Sequence, residues 1–311
     1  MLRARGYAGL STIGITLSDH APRFDAGIEQ RYETALMRAR DDRAIVGVDV
    51  GFVYDPLGRN TGAIDVRVHR RGARSIAPVV VISSITPASP SVAMRNTHSD
   101  AIKPGVRIAN PHCTFGTLGL VVFDVVTKRP LIMSSSHVLG DARSRATAVH
   151  LIPAGTARPR QIATFSRGVN DVAGDAAVAE PTAGVDIEGS HATDTAITRA
   201  AMPQLGDIVE KVGAATGRTC GVVDGLGRYF FSGDTAGMLG FRIVRAVPDR
   251  ARAIAQPGDS GAVWYRQADQ VGVGLHVGGD RSFTDESSQP AIACYLPLVL
   301  DALAVSLTPA E

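Results

Sequence analysis

From Arg107 onward the chain is a succession of short Val- and Ile-rich stretches broken by Gly and Asp, and no apolar repeat at spacings of three and four returns until Leu296 to Leu303. Aliphatic runs of four to eight residues bounded by turn-forming residues read as strands, and many of them in close succession read as Greek-key barrels. The turns are supplied by 33 glycines and 17 prolines in 311 residues, a length that buries a substantial core and exceeds one small compact unit.

The exception comes early. Ile28, Tyr32, Ala35, Leu36 and Ala39 recur at helical spacing between Asp25 and Asp41. Ala44 to Tyr54 then reads as a strand, Asp55-Pro-Leu-Gly58 as a turn, and Ala63 to His69 as an alternating return strand. The expected organisation is a small α+β module over residues 1–86, a Pro-, Ser- and Ala-rich linker or arm over 87–106, and a mainly β unit of two six-stranded Greek-key barrels over 107–311.

The charge pattern narrows the partners. A net charge of +2 without any block of like charge argues against a nucleic-acid or membrane-surface partner. No apolar run reaches spanning length, and the first ten residues lack the apolar stretch of a secretory signal, so a soluble, cytoplasmic protein is expected. Cys113, Cys220 and Cys294 are odd in number and widely spaced, which suits buried thiols better than a disulfide framework. His112-Cys113 has no partners at metal-ligand spacing, so no metal is expected.

Chemistry concentrates at Gln256-Pro-Gly-Asp-Ser-Gly-Ala-Val263. Gly258 permits a sharp turn that aims its N–H and that of Ser260 at one point, where a developing oxyanion can sit. A nucleophilic Ser needs a base, and Pro130-Leu-Ile-Met-Ser-Ser-Ser-His-Val-Leu139 offers His137 at what reads as a strand end. The base needs an acceptor on its second nitrogen. Asp175, in Gly174-Asp-Ala-Ala-Val-Ala179, is the first choice because it closes the first barrel and leaves room before the second opens near Val209. Asp194, in Thr193-Asp-Thr-Ala-Ile197, is the competitor, with Asp171 and Asp186 behind it. The stretch Gly258-Asp-Ser-Gly-Ala262 is not the Gly-x-Ser-x-Gly elbow of α/β-hydrolases.

In the order His137, Asp175, Ser260 these motifs resemble trypsin-like serine proteases of the chymotrypsin fold. The resemblance is to an intracellular branch known from bacteria and from plant narrow-leaf-type proteins. It rests on Gly116-Thr-Leu-Gly119, the Ser-x-x-His-Val-Leu run, Asp175-Ala-Ala-Val178, Gly213-Ala-Ala-Thr-Gly-Arg-Thr219 and Gly258-Asp-Ser-Gly261, and covers about residues 107 to 303. It implies a serine endopeptidase acting on polypeptides through a Ser-His-Asp triad and an acyl-enzyme, with an oxyanion hole from Gly258 and Ser260 and no cofactor. In secreted relatives a new N-terminus neutralises the carboxylate at the position of Asp259. No such segment directly precedes the first barrel, so Asp259 is expected either to meet another buried cation or to belong to a disordered loop awaiting a protein activator.

Two residues bear on specificity. Ile254, six positions before Ser260, stands where trypsin carries its acid, which disfavours cleavage after basic residues. Val271-Gly-Val-Gly-Leu-His-Val-Gly-Gly279 resembles the corresponding strand of glutamyl endopeptidases and picornaviral proteases, implying that His276 donates to a Glu or Gln at P1. A protease fold that holds peptides without cutting them is the rival reading.

Overall fold

The computed structural model describes residues 24–55, 59–72, 102–112, 115–140, 147–152, 158–188, 196–231, 237–245, 253–280 and 289–309. Helix α1 (Ala26–Asp41) begins where the Asp25 carboxylate accepts the Ile28 N–H at 2.9 Å, and Arg38 and Arg40 sit in its last turn, complementing the helix dipole. Its apolar stripe of Ile28, Tyr32, Ala35 and Ala39 packs on Ile45, Val48 and Val50 of β1 (Ile45–Tyr54). Strand β2 (Asn60–Arg70) returns antiparallel to β1. The expected turn at Asp55 to Gly58 and most of the arm before Gly105 lie outside the described residues.

Two antiparallel sheets follow. The first contains β3 (Arg107–Ala109), β4 (Gly116–Thr117), β5 (Leu120–Asp124), β6 (Pro130–Ser134), β7 (Ala148–Leu151), β8 (Arg160–Asp171) and β9 (Gly174–Pro181), with β16 (Val305–Ser306) returning to pair with β5. The second contains β10 (Ile208–Gly213), β11 (Gly217–Tyr229), β12 (Met238–Arg245), β13 (Val263–Arg266), β14 (Gly272–Gly279) and β15 (Ala291–Tyr295). Because β10 pairs with both β13 and β11, these six strands close into a barrel, while the first sheet forms a half-barrel. The architecture is a mainly β double barrel preceded by a small α+β element. Helix α1 and the β1–β2 hairpin precede the barrels in the chain yet are continuous with the second one: β1 pairs with β11, from Gly47 opposite Tyr229 to Gly51 opposite Gly225.

Three apolar clusters organise the barrels. Ile108, Leu118, Ile132, Val149 and Ile162 fill the first, and Val209, Val223, Phe241, Trp264 and Val273 fill the second. A third cluster, with Val122, Met133, Val178, Tyr265, Leu275 and Leu296, cements one barrel to the other, and helix α3 (Leu296–Ala302) lies against it. Each such side chain contributes about 1.5–3 kcal/mol relative to exposure, so the seam between barrels is held as firmly as either interior. Cys294 belongs to this seam as a buried free thiol; Cys220 is a free thiol only partly buried, and Cys113 lies outside the described residues.

Candidate active site

The seam brings His137, Asp175 and the Ser260 loop to one region from three places in the sequence. Strand β6 ends at Ser134, and His137 stands not at a strand end but in the single helical turn α2 (Ser136–Leu139) that follows. Ser135 keeps an extended backbone before the turn, and Gly140 ends it. Buried Asn110 donates to the carbonyls of His137 and Val138 at 3.3 and 3.0 Å, satisfying acceptors that so short a helix leaves open.

Asp175 is the second residue of β9. Its Oδ1 accepts the His137 backbone N–H at 3.2 Å, and its Oδ2 is hydrogen-bonded to His137 Nδ1. One carboxylate thus fixes both the main chain and the ring. The imidazole side chain is 47 % exposed while Asp175 is nearly buried. Burial alone would lower the His137 pKa, but the hydrogen bond and charge of Asp175 outweigh it and raise the pKa above the ordinary imidazole value. Asp171 instead caps the Ala173 N–H at 2.8 Å in the β8–β9 turn, Asp186 is exposed, and Asp194 lies outside the described residues.

The Ser260 loop is a hydrogen-bonded turn. The Asp259 N–H donates to Gln256 O at 3.0 Å, and Gly258 takes φ +105°, the left-handed backbone demanded at the third position of such a turn. Among the described residues the Gly258 and Ser260 N–H groups have no acceptor, which leaves two donors available within three residues. Thr117 on β4 ties this loop to the first barrel: its N–H donates to Ser260 O at 2.8 Å and its hydroxyl to Gly258 O at 2.9 Å. At Gly261, φ +92°, a Cβ would collide with the Ser134 hydroxyl, so the approach of the two barrels requires glycine. The Ser260 hydroxyl itself donates to Val277 O at 3.1 Å.

Asp259 finds a cation inside the chain. Lys211 on β10 places Nζ 3.1 Å from Asp259 Oδ2, and both side chains are fully buried. The same carboxylate accepts the N–H groups of Gln256, Ala215 and Thr216 at 2.9–3.1 Å and the Thr216 hydroxyl at 2.7 Å. Burial would raise the Asp259 pKa; Lys211 and these donors hold it well below the usual carboxylate range. Lys211 also donates to the Thr216 hydroxyl and lies 5.5 Å from the centre of the Trp264 ring. Of the two expectations for Asp259, the described loop fits the buried cation.

His276 lies on β14 beside this cluster. It is 2 % exposed, meets Trp264 edge-on at 6.2 Å, and its Nδ1 is buried without a partner among the described residues. Burial first, then the charge of Lys211, pushes its pKa well below the ordinary value, so the ring is neutral. Its main chain braces the nucleophile loop, with His276 O accepting the Gly261 N–H at 2.8 Å and the Ser135 hydroxyl at 3.1 Å. Ile254 is 3 % exposed and belongs to the second-barrel core, with its carbonyl accepting from Thr219 at 2.8 Å.

No protein-family model matches the sequence, and no curated protein matches it. Solved structures do. A glutamic-acid-specific serine protease that uses a histidine triad in substrate binding is similar over 67% of this chain and 100% of its own, at 18% identity and a TM-score of 0.51. The fold is the chymotrypsin-like double β-barrel. A Nocardiopsis protease matches over 66% of this chain and 98% of its own at 18% identity and TM-score 0.49. A Cellulomonas bogoriensis chymotrypsin matches over 68% and 100% at 16% identity and TM-score 0.48.

Sequence reasoning passed over the supporting residues. Lys211 had a signal, a lone cation in the apolar strand Ile208–Gly213, but nothing local links it to Asp259, 48 residues away. Thr117 and Thr216 sit inside quoted motifs, while Asn110 carried no distinguishing context at all.

Proposed function

We propose that the protein is a serine endopeptidase in which Ser260 is the nucleophile, His137 the general base and acid, and Asp175 the group that fixes the His137 tautomer. The observation that carries this reading is that Asp175 holds both the ring and the main-chain N–H of His137, in a fold whose Ser260 loop keeps two N–H donors uncommitted among the described residues. With Nδ1 held by Asp175, Nε2 is the nitrogen left for the seryl proton. The resting hydroxyl leaves Val277 O, gives its proton to His137 and attacks the scissile carbonyl; the proton then passes to the leaving amine, and water repeats the sequence on the acyl-enzyme. The N–H groups of Gly258 and Ser260 receive the tetrahedral oxyanion, a stabilisation of about 3–4 kcal/mol for one donor. Lys211 keeps the turn formed by neutralising Asp259, so activity needs neither a new N-terminus nor an activator. The ordered motifs from Gly116 to Gly261 support placing the chain in the intracellular branch that they resemble.

The reading extends to P1. A neutral imidazole next to the Ser260 loop, whose buried Nδ1 has no partner among the described residues, suits a side chain that accepts one hydrogen bond without needing a counter-charge, which favours Gln, and Glu only where a cation elsewhere balances it, over Lys or Arg. Cleavage of a mixed peptide library by the wild type, absent with Ser260→Ala, tests the activity. A library profile unchanged in His276→Ala rejects the P1 assignment.

A further inference from the structure

The N-terminal hairpin meets the second barrel through a network of six ionisable side chains, four of them buried. Asp280, the residue after β14, accepts from Arg242 Nε at 2.9 Å; Arg242 Nη1 donates to Asp224 Oδ2 at 2.7 Å. Arg67 of β2 donates to the same Asp224 oxygen at 2.9 Å and grips both oxygens of Asp49 at 2.7 and 2.9 Å. His69 stands beside both ends, with Nε2 2.9 Å from Asp49 Oδ2 and Nδ1 3.6 Å from Asp280 Oδ2, the latter beyond hydrogen-bond reach. Three members belong to the hairpin and three to the barrel. All six side chains are at most 16 % exposed, and a Cβ at Gly51 or Gly225 would strike the Arg67 guanidinium, so the backbone leaves room for it.

The network ends at Asp280, four residues beyond His276. Strand β14 pairs with β13 only as far as Leu275, opposite Val263; beyond the main-chain bonds of His276, its edge facing the Ser260 loop is unpaired by any described strand, and Val277 O there holds the Ser260 hydroxyl. On its other edge β14 stays paired with β15 through Gly279, and Asp280 N–H donates to Pro290 O at 2.8 Å. Among the described residues a Cβ at Gly278 would meet only Phe231, at 3.8 Å. An extended peptide adds to such an edge as a further strand, and its hold depends on that edge being rigid.

We infer that the N-terminal hairpin is a built-in positioning element for substrate, with Arg67 and His69 fixing the Gly278–Asp280 end of β14 through Asp224, Arg242 and Asp280. This rests on the protease reading for its substrate. The network depends on the hairpin: Arg67 is one of the two guanidinium groups that meet the buried Asp224 carboxylate among the described residues, and removing it leaves that charge less compensated. Residues 24–72 therefore belong to the working unit rather than to a dispensable leader.

The test compares full-length wild type with Arg67→Met and the milder His69→Gln. Amide hydrogen exchange is read by mass spectrometry over residues 272–280 and, as control, 116–139. Kinetics are read with a P4–P1 peptide amide and with a small fluorophosphonate. In Arg67→Met, exchange at 276–280 is expected to quicken and the KM of the extended peptide to rise, each about tenfold, with kcat, fluorophosphonate labelling and control exchange unchanged within about twofold. His69→Gln shifts the same two readouts by a smaller factor and decides the matter if Arg67→Met does not fold. Unchanged exchange at 276–280 in the folded variants overturns the inference, as does a uniform loss of kcat, labelling and control protection. A wild type that never labels refutes the protease reading instead, and the exchange comparison still decides whether the hairpin fixes β14.

Discussion

His137, paired with Asp175, and His276, bonded through its main chain to the Ser260 loop, are driven in opposite directions by their surroundings. His137 is half exposed, with a carboxylate on Nδ1, and its pKa rises; His276 is sealed against Trp264 with no ring partner, and its pKa falls. The carboxylate favours the protonated form of the first, whereas burial keeps the second uncharged. Under the proposed function the difference suits one to chemistry and the other to recognition, because two titratable groups whose environments separate their pKa values are suited to separate tasks. It also shows that the residue type alone is silent: the carboxylate on β9 and the aromatic wall on β13 make the distinction.

The comparison breaks most visibly at His137. His137→Ala and Asp175→Asn are expected to lower kcat by about 10⁴-fold or more, because the base is lost in one and held in the wrong tautomer in the other; steady-state kinetics with a peptide amide checks this. A mutant Asp175→Asn with near-normal kcat would transfer the acid role to Asp194. Lys211→Met comes next. It strands Asp259 as a buried unpaired charge, at a stability cost of about 3–5 kcal/mol by denaturant melts, and loosens the turn that offers the Gly258 N–H, lowering kcat by about 10²–10³-fold.

The pH profile sharpens the contrast. As pH falls through the raised His137 pKa, the base becomes protonated, so kcat/KM drops on an acid limb above the ordinary imidazole value. That same raised pKa contributes folding stability at low pH that is lost as pH rises through it. His276 acts with the opposite sign: since protonation is disfavoured in the folded state, stability is full above the ordinary imidazole value and declines as pH falls below it. Thermal melts of His276→Leu against wild type, from neutral to acid pH, should therefore converge or cross on the acid side. The smallest effect is on specificity, where His276→Leu shifts the Gln-to-Leu P1 ratio by about 10–100-fold while fluorophosphonate labelling is unchanged.

What was legible in the sequence follows how local each signal is. The helix from Ile28 to Ala39, the barrel strands and the Gly258 turn are written in spacing over a few residues, and His137 and Ser260 stand in contexts short enough to read. Asp175 could be ranked above Asp194 by the room each leaves in the chain. The buried Lys211–Asp259 pair and the pairing of β1 with β11 depend on contacts between distant segments, for which the sequence carried only an isolated Lys and an ordinary strand. The placement of His137 in a helical turn rather than at a strand end was equally hidden, since Ser135 and Ser136 suit either continuation.

The most direct measurement is the site and rate of fluorophosphonate modification, followed by intact mass and peptide mapping in wild type and His137→Ala. A single adduct on Ser260 in the wild type, forming about 10⁴-fold more slowly in the variant, is the result expected of a working triad. An adduct elsewhere, or equal rates in the two proteins, contradicts it.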